Sequence, residues 1–221
     1  MTENRNPDDN SSPELTTWGV GPWQGELPTD EHYDPELLAN GDTRNVLDHF
    51  RYWKMEAIVA ELDSRRHKYH VAIENWQHDL NIGSIDRTAN AFLAEEVHII
   101  GNRRWNRRGA MVTDRYQHVS HHPTVEEFVA WAQTAGEGGA QLPIIAIDNV
   151  PGCKKIEEYS LPEECVLLFG QEGPGLSEAA IEAAHVVLEI SQFGSTRSIN
   201  ASAAAAITMH QWVMQHVFNK R

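Results

Sequence analysis

Three polar segments, each following a short apolar run, hold the side chains whose types and spacing suit chemistry. The first runs from Asn81 through Gly83 and Arg87 to Phe92. A strand followed by a glycine turn and a helix start is a generic anion-binding device, and Arg87, read within the first helical turn, points at the same edge. Its bland alternative is a surface arginine on a helix. The second runs from Phe169 to Ser177 and carries Gly170, Gly173 and Gly175, which allow backbone to approach a ligand closely. Their spacing differs from the dinucleotide fingerprint, which disfavours a nicotinamide enzyme. Glu172, lodged among these glycines, either faces that ligand or is a solvated turn carboxylate. The third runs from Ile190 to Ser202. Ser198, Asn200 and Ser202 suit the start of the alanine-rich helix that follows, and Ala203 to Ala206 let another backbone come close.

The elements that must position these segments are legible as alternating patterns. HVAIENW, VHIIG, PIIAIDNV, CVLLFG and VVLEIS read as buried strands. Helices are expected over 87–94, over 125–134 behind the Thr124/Glu127 capping box, over 177–184 and over 200–218. Strands alternating with helices imply an α/β fold, a mostly parallel sheet with helices on both faces. In such folds the ligand sits beyond the carboxyl ends of the strands, where the three polar segments fall.

In order and distance, NIGSIDRTANAF, LLFGQEGPGLS and ISQFGSTRSINASAAAA resemble motifs 1, 2 and 3 of the SpoU (TrmH-like) branch of the SPOUT RNA methyltransferases, over roughly residues 67–218. The resemblance implies a C-terminal deep trefoil knot, a homodimer, and S-adenosylmethionine-dependent methylation of a ribose 2′-hydroxyl of tRNA or rRNA. It places the catalytic set on Asn81, Arg87, Glu172, Ser198 and Asn200. It places the cofactor on the ends of the last strands: Ile147, Asp148 and Asn149; Phe169, Gly170, Glu172, Gly173 and Gly175; Ile190, Gln192, Ser198 and Ile199. In the family the arginine is proposed as the base. A guanidinium is ordinarily only a donor, so a role holding the neighbouring phosphate and easing alkoxide formation is the rival.

Charge bears on the partner. The chain has 221 residues and a formal charge of −14, which by itself argues against a polyanion. The distribution is uneven. Residues 1–42 hold ten acids and one base, Arg5, a net of −9, together with five of the ten prolines. The organisation expected is an acidic, proline-rich arm over 1–41 with aromatic punctuation at Trp18, Trp23 and Tyr33, a helical extension over 42–66 capped by Asp42 or Thr43, and a methyltransferase domain over 67–221. Residues 1–66 are too short and acidic for the RNA-binding domain many relatives carry. RNA contact is therefore assigned to Arg103, Arg104, Arg107 and Arg108, interleaved with Trp105 and followed by Arg115 and Tyr116; arginines hold phosphates and aromatic faces stack on bases. His118, His121 and His122 read as part of a polar loop, and no metal is expected. Cys153 and Cys165 fit neither a disulfide framework nor a zinc knuckle. With no apolar run of membrane-spanning length and no signal peptide at the N-terminus, the expected location is cytoplasmic. The alternative from another class is a knotted RNA-binding or assembly factor that keeps the cofactor pocket without catalysis.

Overall fold

The computed structural model describes residues 19–77, 81–111 and 113–219, so Trp18 lies outside the described residues. The chain divides into two compact units, through residue 60 and from residue 61 onward.

In the first unit, Asp34 caps α1 (Pro35–Asn40), its carboxylate accepting from the backbone N–H groups of Glu36 and Leu37. Proline at the first helical position needs no N–H partner there. The expected long helix from Asp42 does not form; α2 covers Met55–Asp63. Asp42 is buried and accepts from the Arg44 guanidinium at 2.7 and 2.9 Å and from the Tyr52 N–H at 2.9 Å. Tyr52 has φ 64°, a left-handed conformation that interrupts any helix through it. Trp23 packs edge-on against Tyr52, ring centroids 5.3 Å apart. The stretch after Gly19 is thus folded around its aromatic rings rather than extended.

The second unit is built on a seven-stranded sheet: β1 (Tyr69–Asn75), β2 (Val97–Gly101), β3 (Val119–His122), β4 (Ile144–Ile147), β5 (Lys154–Lys155), β6 (Cys165–Phe169) and β7 (Val186–Glu189). Its order is β3-β2-β1-β6-β4-β7-β5, and each pairing is parallel. Five strands match the apolar runs. β3 and β5 were not expected, since VSHH and KK carry little apolar signal.

Side chains alternate across the sheet. On one face Val71, Ile73, Ile99, Leu167 and Phe169 meet Ile82, Ile85 and Ala89 of α3 (Asn81–Ala91) and Met209 and Trp212 of α6 (Ala201–Val213). On the other, Ala72, Ile100, Ile144 and Leu168 meet Phe128 and Ala132 of α4 (Val125–Ala132) and Ala180 of α5 (Glu178–Ala183). Strands buried on both faces need the continuous Val, Ile and Leu runs observed. Thr124 caps α4 through the Glu127 N–H, and Ser177 caps α5. After α6 the chain closes with a π-helical turn, Met214–Phe218.

α3 departs from expectation at its start. It begins at Asn81, so Gly83 lies inside the helix and Arg87 in its second turn rather than its first. A Cβ on Gly83 would lie 2.7 Å from the Ala110 nitrogen and 2.9 Å from the Asn106 oxygen. Glycine here admits a crossing backbone instead of making a turn.

Candidate active site

The loops leaving β4, β6 and β7 close around one cavity of about 500 Å³ at the carboxyl ends of those strands. The β6 loop folds back on itself: Gln171 and Gly175 exchange backbone hydrogen bonds of 3.2 and 3.1 Å. Only glycine fits at its base, because a Cβ on Gly170 would lie 2.2 Å from the Gly175 carbonyl carbon. Gly175 itself has φ 75°. Asp148, just past β4, accepts from the Leu176 N–H at 2.9 Å. The Asn149 amide donates to the Arg197 carbonyl, so the β4 loop is tied to both others.

Every residue expected at the cofactor lines this cavity: Ile147, Asp148, Asn149, Phe169, Gly170, Glu172, Gly173, Gly175, Ile190, Gln192, Ser198 and Ile199. Leu176, Glu189 and Arg197 also line it and were not singled out in the sequence; Ala204, from the small-residue stretch, lines it too.

At the cavity rim the three segments meet. Glu172 Oε2 accepts from Asn81 Nδ2 at 3.2 Å, Asn200 Nδ2 at 3.0 Å and the Ala201 N–H at 3.0 Å. Asn200 Nδ2 also reaches Asn81 Oδ1 at 2.9 Å. Asn200 caps α6, its Oδ1 accepting from the Ser202 N–H at 3.0 Å, and a carboxylate beside that helix start is favourably placed against the helix dipole. Asn200 thus caps α6 with Oδ1 while its Nδ2 joins it to Glu172 and Asn81 at the cavity rim. Ser198 is exposed on the cavity wall. Arg87 stands apart from this cluster: it is exposed, six residues along α3 from Asn81, about 9 Å of helix rise.

Two supporting residues were missed. Glu74, fully buried in β1, accepts from the Ser177 N–H and hydroxyl at 2.7 Å each and from Trp76 Nε1 at 3.0 Å. Gln171 Oε1 accepts from the N–H groups of Trp76 and Gln77 at 2.9 and 2.7 Å. Together they lock the β1 and β6 loops side by side. The available signal was a charged residue inside the apolar run HVAIENW.

Under α3 lies a further group. Asp86 is fully buried and neither carboxylate oxygen has a hydrogen-bond partner among the described residues. Burial, with the Asp114 charge adding and Arg107 opposing, pushes its pKa up to about 7. The 3-10 turns Arg107–Ala110 and Thr113–Arg115 pack against this helix.

Those turns and the segment just before them carry the basic cluster. Arg103, Arg104, Arg107 and Arg115 are exposed, and the Arg107 guanidinium sits 5.4 Å from the Trp105 ring centroid while pairing with Asp114 at 3.4 Å. Arg108 shares the turn with Arg107. Tyr116 is buried, so its face is not open to a base as the sequence suggested. The histidines differ too: His121 and His122 belong to β3, His122 is buried, and His118 bonds Asp63 at 2.9 Å.

The model of the SpoU rRNA Methylase family matches residues 68–210. The chain belongs to this family. Among relatives, this SpoU chain is 30% identical over 159 residues to the Escherichia coli (strain K12) tRNA (guanosine(18)-2′-O)-methyltransferase, covering 70% of this chain and 67% of that protein. It is 25% identical over 109 residues to the Saccharomyces cerevisiae protein of the same name, covering 49% of this chain and 7% of that one. Among solved structures, the SpoU methyltransferase AviRb from Streptomyces viridochromogenes in complex with AdoMet has TM-score 0.63 and 23% identity, over 71% of this chain and 61% of that chain. The A. aeolicus TrmH/SpoU tRNA modifying enzyme has TM-score 0.62 and 19% identity, over 73% and 81%. These two likenesses establish a shared parallel α/β fold.

Proposed function

We propose that this SpoU-family chain transfers the methyl group of S-adenosylmethionine to a ribose 2′-hydroxyl of tRNA or rRNA. The observation that carries this reading is the meeting of Asn81, Glu172 and Asn200 beside a cavity formed by three strand-end loops. The residues present fit the cofactor: glycines at 170 and 175 let the β6 loop fold tightly onto itself and onto Asp148, where a Cβ would collide, and the volume of the cavity it walls suits a nucleotide-sized ligand. When bound, S-adenosylmethionine supplies an electrophilic methyl on a sulfonium.

The chain's own part is positioning and charge. The attacking ribose oxygen must lose a proton and approach in line with the carbon–sulfur bond that breaks. Arg87, exposed on α3, holds the neighbouring phosphate and stabilises the alkoxide as it develops; as a fixed cation it donates throughout. Asn81, Glu172 and Asn200 brace α3 against the start of α6, and Ser198 contributes its hydroxyl at the cavity wall. Arg103, Arg104, Arg107, Arg108 and Arg115 guide the RNA backbone.

Three structural readings accompany the function. Residues 67–221 form the methyltransferase domain, with 1–41 and 42–66 as appendages. The C-terminal segment is threaded as a deep trefoil knot, which the insertion of β6 between β1 and β4 supports. The protein is a homodimer that pairs through α6, a reading supported by the exposed Ile207, Val217 and Phe218 at and beyond that helix. Melting the protein with S-adenosylmethionine and, separately, with NAD tests the cofactor: a ligand at a hundredfold excess over its Kd adds about 2.7 kcal/mol. Stabilisation by NAD alone would overturn the reading.

A further inference from the structure

Three histidines that methyl transfer does not use stand in a row across β1, β2 and β3. Ala72 lies beside His98 and Ile100 beside His122. His70, His98 and His122 are therefore each displaced by two residues from strand to strand, and all three project from one face of the sheet. His70 Nδ1 lies 3.1 Å from His98 Nε2, and His98 Nδ1 lies 3.0 Å from His122 Nε2. Trp131 covers the row, its ring centroid 4.0 Å from that of His98. Glu96, immediately before β2, places Oε2 3.7 Å from His98 Nε2, and its Oε1 accepts from the Ser120 hydroxyl.

We propose that His70, His98 and Glu96 bind one Zn²⁺ ion, with His122 and Ser120 as the groups that orient the ligands. One ligand atom from each of the three residues lies within 4.8 Å of the others. Tetrahedral zinc with bonds of about 2.0 to 2.2 Å separates its ligand atoms by roughly 3.3 to 3.6 Å, and the observed 3.1 and 3.7 Å bracket that range.

The surroundings match what a metal site needs beyond its ligands. A zinc-bound histidine usually donates its other ring N–H to a fixed partner, which sets the tautomer, and a ligating carboxylate is itself hydrogen-bonded. Here a proton on His98 Nδ1 donated to His122 Nε2 leaves Nε2 as the free lone pair, and Ser120 holds the second oxygen of Glu96. Each N···N contact also needs one acceptor nitrogen, so the row cannot be fully protonated. Two histidines and a glutamate leave a fourth position for water, a known zinc arrangement. The Glu96 side chain is 25% exposed, which provides an entry path to a His98 ring that is fully buried. His70 pairs with Val166, three residues before the Phe169 that lines the cavity, about 10 Å along the strand. The ion would brace the short edge strand β3 rather than take part at the cavity.

The test uses the full, untagged chain stripped with chelator. Zn²⁺ is titrated by calorimetry and Co²⁺ by its visible absorption. One equivalent of tight metal with the intense absorption of tetrahedral Co²⁺ is expected, with a higher melting midpoint and unchanged S-adenosylmethionine affinity. Glu96→Gln, at a partly exposed position, should lose the tight equivalent. Ser120→Ala should weaken it by about 10- to 100-fold. His118→Gln, outside the row, should leave it intact. Absence of a tetrahedral Co²⁺ spectrum in the unaltered protein would overturn the proposal, as would metal affinity unchanged in Glu96→Gln.

Discussion

Replacing Asp86 by Asn removes a carboxyl that the fold holds in its neutral form, and the pH dependence of that change can be worked from its surroundings. Asp86 is fully buried with neither oxygen hydrogen-bonded among the described residues, and its pKa rises from the ordinary 3.8 to about 7 through burial first and the Asp114 charge second, against Arg107. A folded-state value above the unfolded one contributes stability that is complete below the unfolded pKa and lost as pH rises through the folded pKa. At roughly 1.4 kcal/mol per pH unit, the whole displacement is worth on the order of 4 kcal/mol. His70, His98 and His122 run the other way: burial lowers their pKa values, so their contribution is lost as pH falls. Comparing the two proteins cancels those histidines and isolates Asp86. Urea unfolding of both proteins from about pH 4.5 to about pH 8 should show the gap moving in the variant's favour by several kcal/mol as pH rises. A gap that stays constant over that range would refute the reasoning.

Other perturbations probe the cavity and the basic cluster. Gly170→Ala would set a Cβ 2.2 Å from the Gly175 carbonyl carbon and 2.4 Å from the Leu176 nitrogen; it should cost about 1–3 kcal/mol and abolish S-adenosylmethionine binding in calorimetry while circular dichroism still reports the sheet. Glu172→Gln keeps the shape but removes the charge that collects three N–H groups; it should cost about 1 kcal/mol and slow methyl transfer more than it weakens cofactor binding. Removing Arg103, Arg104, Arg107 and Arg108 together should weaken RNA in filter binding and lower the salt slope by about 0.7 to 0.9 per lost phosphate contact. An unchanged slope would mean that RNA enters elsewhere.

How much of this was visible in the sequence depended on whether a residue's role left a local signal. Strands buried on both faces announce themselves as runs such as CVLLF, and Thr124 and Asn200 were legible as caps because capping needs those side chains at those offsets. The edge strand VSHH was hidden because its inward residues are polar and find their partners in His98 of β2 and in Glu96 just before it, a relation that sequence spacing does not carry. Gly83 was ambiguous between a turn and a close crossing, and Ala110 and Asn106, which decide it, lie far along the chain. The break before α2 came from the left-handed backbone at Tyr52, a conformation no tyrosine advertises. At the site, Asn81, Glu172 and Asn200 were found through their ordered motifs. Glu74 and Gln171 act only through the loops they join and escaped notice.

The claim on which the rest depends is that the chain methylates ribose. Full-length protein incubated with methyl-labelled S-adenosylmethionine and total tRNA and rRNA, followed by digestion to nucleosides, reads the product directly. Label should appear as 2′-O-methylnucleoside, and Arg87→Ala should lower its rate by about 10²- to 10³-fold with cofactor affinity unchanged. Label confined to a base, or an Arg87→Ala variant that turns over at the unaltered rate, would contradict the account.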